Sequence, residues 1–217
     1  MTTIVHHPAD ELLLSYAAGA TGEAVSLVVA THLALCPLCR RTVAKAESIG
    51  GAMLETSTPV PLDADALNSV LSRLHQAAPM PATLKPPAGS AARVPEPLRS
   101  YLGGGLDDVR WTKITKGIAF KPLMKVGDAR VQLIRSRPGH GVGTHTHRGE
   151  ELTLVLSGGY TDVTGHYTPG DLHVATPEIV HRPLADQGED CIVLAVSDAP
   201  LKFQSFAVGL IGKWFGF

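Results

Sequence analysis

The spacing of apolar positions changes character along this chain, helical at first and strand-like afterwards. In residues 1–77 apolar side chains recur every three or four positions. Leu12, Leu13, Tyr16 and Ala17 form one stripe, opened by Pro8, Asp10 and Glu11 and closed by Gly19. Proline and acids favour a first helical turn, and glycine favours the position just past the last. A second helix is predicted from about Gly22 to Leu35, with Val25, Val28, Val29, His32 and Leu33 on related faces. Pro37 restarts the chain for a third helix to about Met53. Asp63–Gln76 is a fourth, with Leu67, Val70, Leu71 and Leu74 at helical spacing.

Between Ala77 and Pro97 that periodicity stops, and a proline- and alanine-rich run reads as a semi-rigid linker. Beyond it come short β-branched segments, residues 130–134, 152–156, 171–175 and 191–195. Turn signals such as Arg137-Pro138-Gly139, Ser157-Gly158-Gly159 and Pro169-Gly170-Asp171 separate them. Short strands at this spacing suggest a barrel or jelly roll. Two domains follow: an all-α module at 1–77 and an all-β one at 97–217, joined by a linker at 78–96. On this division each site acts within its own domain, and a fragment ending near Gln76 is expected to work alone.

Composition adds limits. At 217 residues and 44% hydrophobic, the chain can bury two cores. A formal charge of -1 argues against a direct nucleic-acid binder, which carries a basic patch. No run of 18 apolar residues suggests a membrane span, and the first residues do not resemble a signal peptide, so a cytoplasmic address is expected. Three cysteines suit a reducing compartment better than a disulfide framework.

The cysteines and the 10 histidines carry the chemistry. His32 and Cys36 are four apart on one predicted helix, so they face the same way, and Cys39 follows across Pro37. A fourth ligand, His7 or His6, can reach back from ahead of the first helix. Two thiolates and two imidazoles with no open position make a structural zinc site. A helical module this small also needs a staple. A redox pair is the plainer alternative for Cys36 and Cys39.

In the second half, His145 and His147 point to one face of a strand, and Glu151 returns to it after a short turn. His181, from a neighbouring strand, completes three imidazoles and a carboxylate, which suit zinc or another divalent transition metal. His140, His166 and His173 read as surface or turn residues. Cys191, in an apolar run, reads as a core cysteine, with a redox role beside the metal as the alternative. Trp214 and the aromatic tail read as packing against the barrel.

The stretches HHPADELLLSYAAG and VVATHLALCPLCR resemble the zinc-binding domain of ChrR-type anti-sigma factors, and the resemblance spans nearly the whole chain. It implies His7, His32, Cys36 and Cys39 as zinc ligands. It also implies a helical bundle that clasps one extracytoplasmic-function sigma factor and blocks its access to RNA polymerase. Residues Gly139 to Gly158 resemble the first cupin motif, G-x5-H-x-H-x3-E-x6-G, without mismatch. The second cupin motif is degraded: Pro169-Gly170-Asp171 and His181 are present, but the usual glycine before that histidine and asparagine after it are not. The family pattern implies a cupin barrel (a double-stranded β-helix) that senses singlet oxygen and related oxidants, with no enzymatic activity. A metal-dependent cupin dioxygenase or isomerase is the alternative. A DNA-binding zinc finger is disfavoured, because Arg40, Arg41 and Lys45 are the only local basic cluster.

Overall fold

The computed structural model describes residues 3–76, 94–199 and 202–203. Four helices form the first part: α1 (Asp10–Ala17), α2 (Glu23–Leu35), α3 (Pro37–Glu55) and α4 (Ala66–Gln76). All four were legible in the apolar periodicity. The predicted linker falls mostly outside the described residues, and so do Trp214 and the tail. A fifth helix, α5 (Glu96–Leu102), precedes the strands and ends on Gly103 in the left-handed region. It was not anticipated.

The strands are β1 (Thr112–Lys113), β2 (Ile118–Val126), β3 (Ala129–Ser136), β4 (His145–Thr146), β5 (Glu151–Ser157) and β6 (Tyr160–Asp162). They continue with β7 (Gly165–Tyr167), β8 (Leu172–Ala175), β9 (Leu184–Ala185), β10 (Cys191–Ser197) and β11 (Lys202–Phe203). Six of them make one antiparallel sheet in the order β1-β2-β3-β10-β5-β8. A second sheet, β7-β6-β9, and the pair β11-β4 complete the barrel walls. The expected all-α and all-β halves are therefore both present.

Both faces of the large sheet are covered, and strand alternation divides its side chains between them. On one face Ile134, Val155, Cys191, Val193 and Ala195 pack with Phe120, Tyr160 and Tyr167 inside the barrel. On the other, Val131, Leu133, Leu152, Leu154, Leu172, Leu194 and Val196 share a cluster with Leu13, Leu27, Val28, Val29 and Leu33 of the helices. Val28, Val29, Leu133, Leu154 and Leu194 are wholly buried. Helix α2 is apolar on nearly every side because it lies between the other helices and the sheet. The helical and barrel halves thus share one core, a continuity that the linker composition did not suggest.

Candidate metal centres

The first centre forms where α2 meets α3. Cys36 ends α2 in an extended conformation and caps α3, its Sγ accepting from the Cys39 amide. Pro37 at the first helical position turns the chain so that Cys39 comes back beside Cys36. His32, one turn earlier, directs Nε2 to within 3.3 Å of Cys39 Sγ. His7 places Nδ1 3.4 Å from both sulfurs. His32, Cys36 and Cys39 are buried, and His7 is partly so.

These separations test whether zinc fits. Zn–S of about 2.3 Å and Zn–N of about 2.0–2.1 Å give tetrahedral S···N edges of about 3.5 Å. The observed sulfur–nitrogen edges come within a few tenths of an ångström of that. Burial lowers His32 to about 4, which keeps its imidazole neutral and ready to ligate. Burial and the neighbouring Cys36 push Cys39 up to about 12, a cost that a bound dication reverses. The other ring nitrogen of His32, Nδ1, donates to the Gly170 carbonyl at 2.9 Å, the partner arrangement usual for a ligating histidine. His6 turns away from this centre: its Nε2 donates to the His166 carbonyl and its ring packs on Tyr167.

The second centre lies inside the barrel. His145 of β4 and His181 exchange backbone hydrogen bonds as an isolated antiparallel bridge, which brings the late histidine to the earlier motif. His147 follows β4, and Glu151 opens β5. All four side chains are buried and their ligand atoms converge. His181 Nε2 is 3.0 Å from Nε2 of both His145 and His147. Glu151 Oε2 is 3.7 Å from His147 Nε2. Three imidazole nitrogens and a carboxylate oxygen at these separations suit a borderline divalent transition metal.

Burial lowers His145 to about 4 and His147 to about 3, and raises Glu151 to about 7. Neutral imidazoles are the form a metal requires. His145 Nδ1 donates to the Gly143 carbonyl at 2.7 Å and His181 Nδ1 to Asp162 Oδ2 at 2.7 Å, so both aim Nε2 inward. Burial alone would raise Asp162, but hydrogen bonds from His181 and Thr164 outweigh it and hold the carboxyl below its usual range. His147 Nδ1 is buried without a partner among the described residues.

Two residues stand differently from expectation. His173, read as a surface or turn residue, is 5% exposed on β8 and faces into the barrel. Its Nδ1 is 3.0 Å from the Tyr160 hydroxyl, and its ring lies 5.6 Å from that of His181. Asp162 carried no motif signal, yet it orients the His181 ring. His140 and His166 are exposed, as expected. Cys191 is buried, and burial pushes its thiol up to about 12, which disfavours the reactive thiolate. A small cavity of about 50 Å³ reaches Cys191, His145, Glu151 and His181 among mostly apolar walls. Gly158, the last motif glycine, has φ +67, and a Cβ there would lie 2.6 Å from the Asp190 carbonyl oxygen.

Comparison with known proteins places this architecture. Residues 103–200 match the family model described as the ChrR cupin-like domain. The chain is 43% identical over 213 residues to anti-sigma-E factor ChrR of Cereibacter sphaeroides, covering 98% of this chain and 99% of that protein. The crystal structure of Rhodobacter sphaeroides SigE in complex with the anti-sigma ChrR aligns with a TM-score of 0.78 at 40% identity, over 90% of this chain and 99% of that one. KdgF from Halomonas sp. aligns at a TM-score of 0.38 and 19% identity, over 43% of this chain and 89% of that one. An end-to-end relative at this identity, on the same helical and cupin halves, means that the chain belongs to the ChrR family of anti-sigma factors.

Proposed function

We propose that the protein inhibits an extracytoplasmic-function sigma factor by binding it one to one in the cytoplasm. The observation that carries this reading is an apolar surface left exposed among the described residues. Leu67, Val70, Leu71 and Leu74 of α4 are 69%, 53%, 45% and 65% exposed. Ile49, Met53 and Leu54 at the end of α3 are exposed as well. An amphipathic helix that leaves its apolar face in water is built to lie against a partner. The name of the relative, an anti-sigma-E factor, supplies the class of partner.

On this reading residues 1–77 are the sigma-binding module and 97–217 the sensory one. His7, His32, Cys36 and Cys39 hold a structural zinc that fixes the α2–α3 corner. His145, His147, Glu151 and His181 hold zinc or another divalent metal in the barrel. An oxidant of the singlet-oxygen type, acting at or near that second centre, biases the complex toward release. The degraded second cupin motif and the anti-sigma naming of the end-to-end relative support a sensor over an enzyme.

The test is Cys36→Ser in the full chain. It is expected to lose one equivalent of zinc and to abolish one-to-one binding of the sigma factor. Zinc content and isothermal titration read both. Intact binding by the zinc-depleted variant would overturn the structural role.

A further inference from the structure

The turn that opens β8 contacts the first metal centre and leads into His173, whose ring lies beside His181 of the second. The chain ahead of His7 crosses this turn, and the Val5 and His6 amides both donate to Oδ1 of Asp171, at 2.8 and 2.9 Å. The other oxygen of Asp171 accepts from the Thr168 amide and hydroxyl at 2.8 and 3.0 Å. One wholly buried carboxylate therefore ties the strap to the turn. The Leu172 amide donates to the His6 carbonyl at 3.1 Å, which seats the strap against the start of β8. The residue next along the strap is His7, whose Nδ1 faces the two sulfurs of the first centre.

The same turn holds the other imidazole. The Gly170 carbonyl accepts from His32 Nδ1 at 2.9 Å. Gly170 has φ +98, which favours glycine in the turn, and the Ile4 side chain of the strap lies over the space a Cβ would take. In the degraded second cupin motif, Pro169-Gly170-Asp171 thus contributes nothing to the barrel metal set and instead serves the zinc centre of the other half.

A column of rings links the turn to the second centre. His6 packs on Tyr167 with centroids 4.4 Å apart. Tyr167 stacks with His173 at 4.5 Å and 24°, and His173 lies 5.6 Å from His181. His173 is the second residue of β8, two positions beyond Asp171.

We propose that residues 168–173 couple the two centres: Asp171 and Gly170 position His7 and His32, and a change at the barrel metal alters the zinc centre through β8 and this column. The inference rests on the zinc reading of the first centre. Hydrogen bonds to a charged acceptor are the stronger kind, and losing a partner that orients a metal ligand costs about 10–100-fold in affinity.

Cobalt(II) in the full-length protein tests this. Of the three clusters of possible ligands among the described residues, the third being Asp162, His173 and His181, the first alone offers thiolates, so cobalt–thiolate charge-transfer absorption reports on that centre. Val5→Pro removes one amide donor to Asp171 without touching the turn's own bonds. His6→Ala removes one ring of the column, and His181→Ala empties the barrel centre. Each is expected to shift the cobalt–thiolate bands, and Val5→Pro and His181→Ala to speed zinc loss from the thiolate site to a chelator by about tenfold or more. Unchanged bands and release within twofold of the unmodified chain in either Val5→Pro or His181→Ala overturn the coupling, while intact thiolate bands leave the zinc reading standing. Absence of any thiolate band in the unmodified chain overturns the zinc reading and the coupling together.

Discussion

Truncating two leucines on α4 should weaken sigma binding while leaving the fold intact. Leu67 and Leu74 are seven residues apart and share one helix face. They are 69% and 65% exposed, so the fold uses only about a third of each. Full burial of a leucine side chain is worth about 1.5–3 kcal/mol. The exposed shares leave about 1–2 kcal/mol per leucine for a partner to cover, about 2–4 kcal/mol for the pair. Alanine keeps one side-chain carbon, so the lower half of that range is the better expectation, a weakening of about 30-fold or more. Alanine is also the better helix former, so α4 itself is retained. Isothermal titration of Leu67→Ala/Leu74→Ala against the cognate sigma factor gives the affinity, and a thermal melt gives the control. Less than a threefold loss of affinity with an unchanged melt would refute α4 as the docking face.

Other substitutions and conditions probe the centres. Asp162→Asn is expected to weaken metal binding in the barrel about 10–100-fold, because His181 loses a charged orienting partner; competition with a chelator reads it, and unchanged affinity would make that contact incidental. Folded His32, His145, His147 and His173 lie at about 4, 4, 3 and 4 against an ordinary 6.5. The unfolded chain therefore binds more protons in that window, and the metal-free protein should lose stability as pH falls from about 6.5 toward 4. Glu151, raised to about 7, acts in the opposite sense: its contribution is present at low pH and lost as pH rises through 7. Four imidazoles outweigh one carboxyl, so the urea midpoint after chelation should be lower at pH 5 than at pH 7.5. A higher midpoint at pH 5 would contradict this balance. Cys191, buried with its thiol pushed up to about 12, should resist iodoacetamide in the folded chain at pH 8, as followed by mass spectrometry; prompt alkylation would restore a redox role for it.

Much of the architecture was legible because it rests on local patterns. The 3.6-residue stripes marked α1 to α4, and H-x-x-x-C-x-x-C at a helix junction marked three of the four side chains that converge at the first centre. The choice between His6 and His7 was not a matter of spacing. It depends on where the strap crosses β8, a contact between residues about 165 positions apart. Strand β2 was missed because Pro122 and two lysines interrupt its apolar run, and the register shifts beside that proline. His173 was misplaced for a related reason. Alternation on β8 sends Leu172 toward the helices and His173 into the barrel, so a polar residue on this strand is not a solvent-facing one. The unbroken apolar run of β10, buried on both faces, and the all-round apolar α2 were the available signals that the two halves share a core.

The most direct measurement is co-purification of the full-length chain with each extracytoplasmic-function sigma factor of its own genome, with metal quantified and transcription assayed in vitro. The account predicts a one-to-one complex with one of them that carries zinc, blocks transcription from that sigma factor's promoter, and dissociates when the zinc is chelated. Full-length protein that holds its zinc but neither binds nor inhibits any of those sigma factors would contradict it.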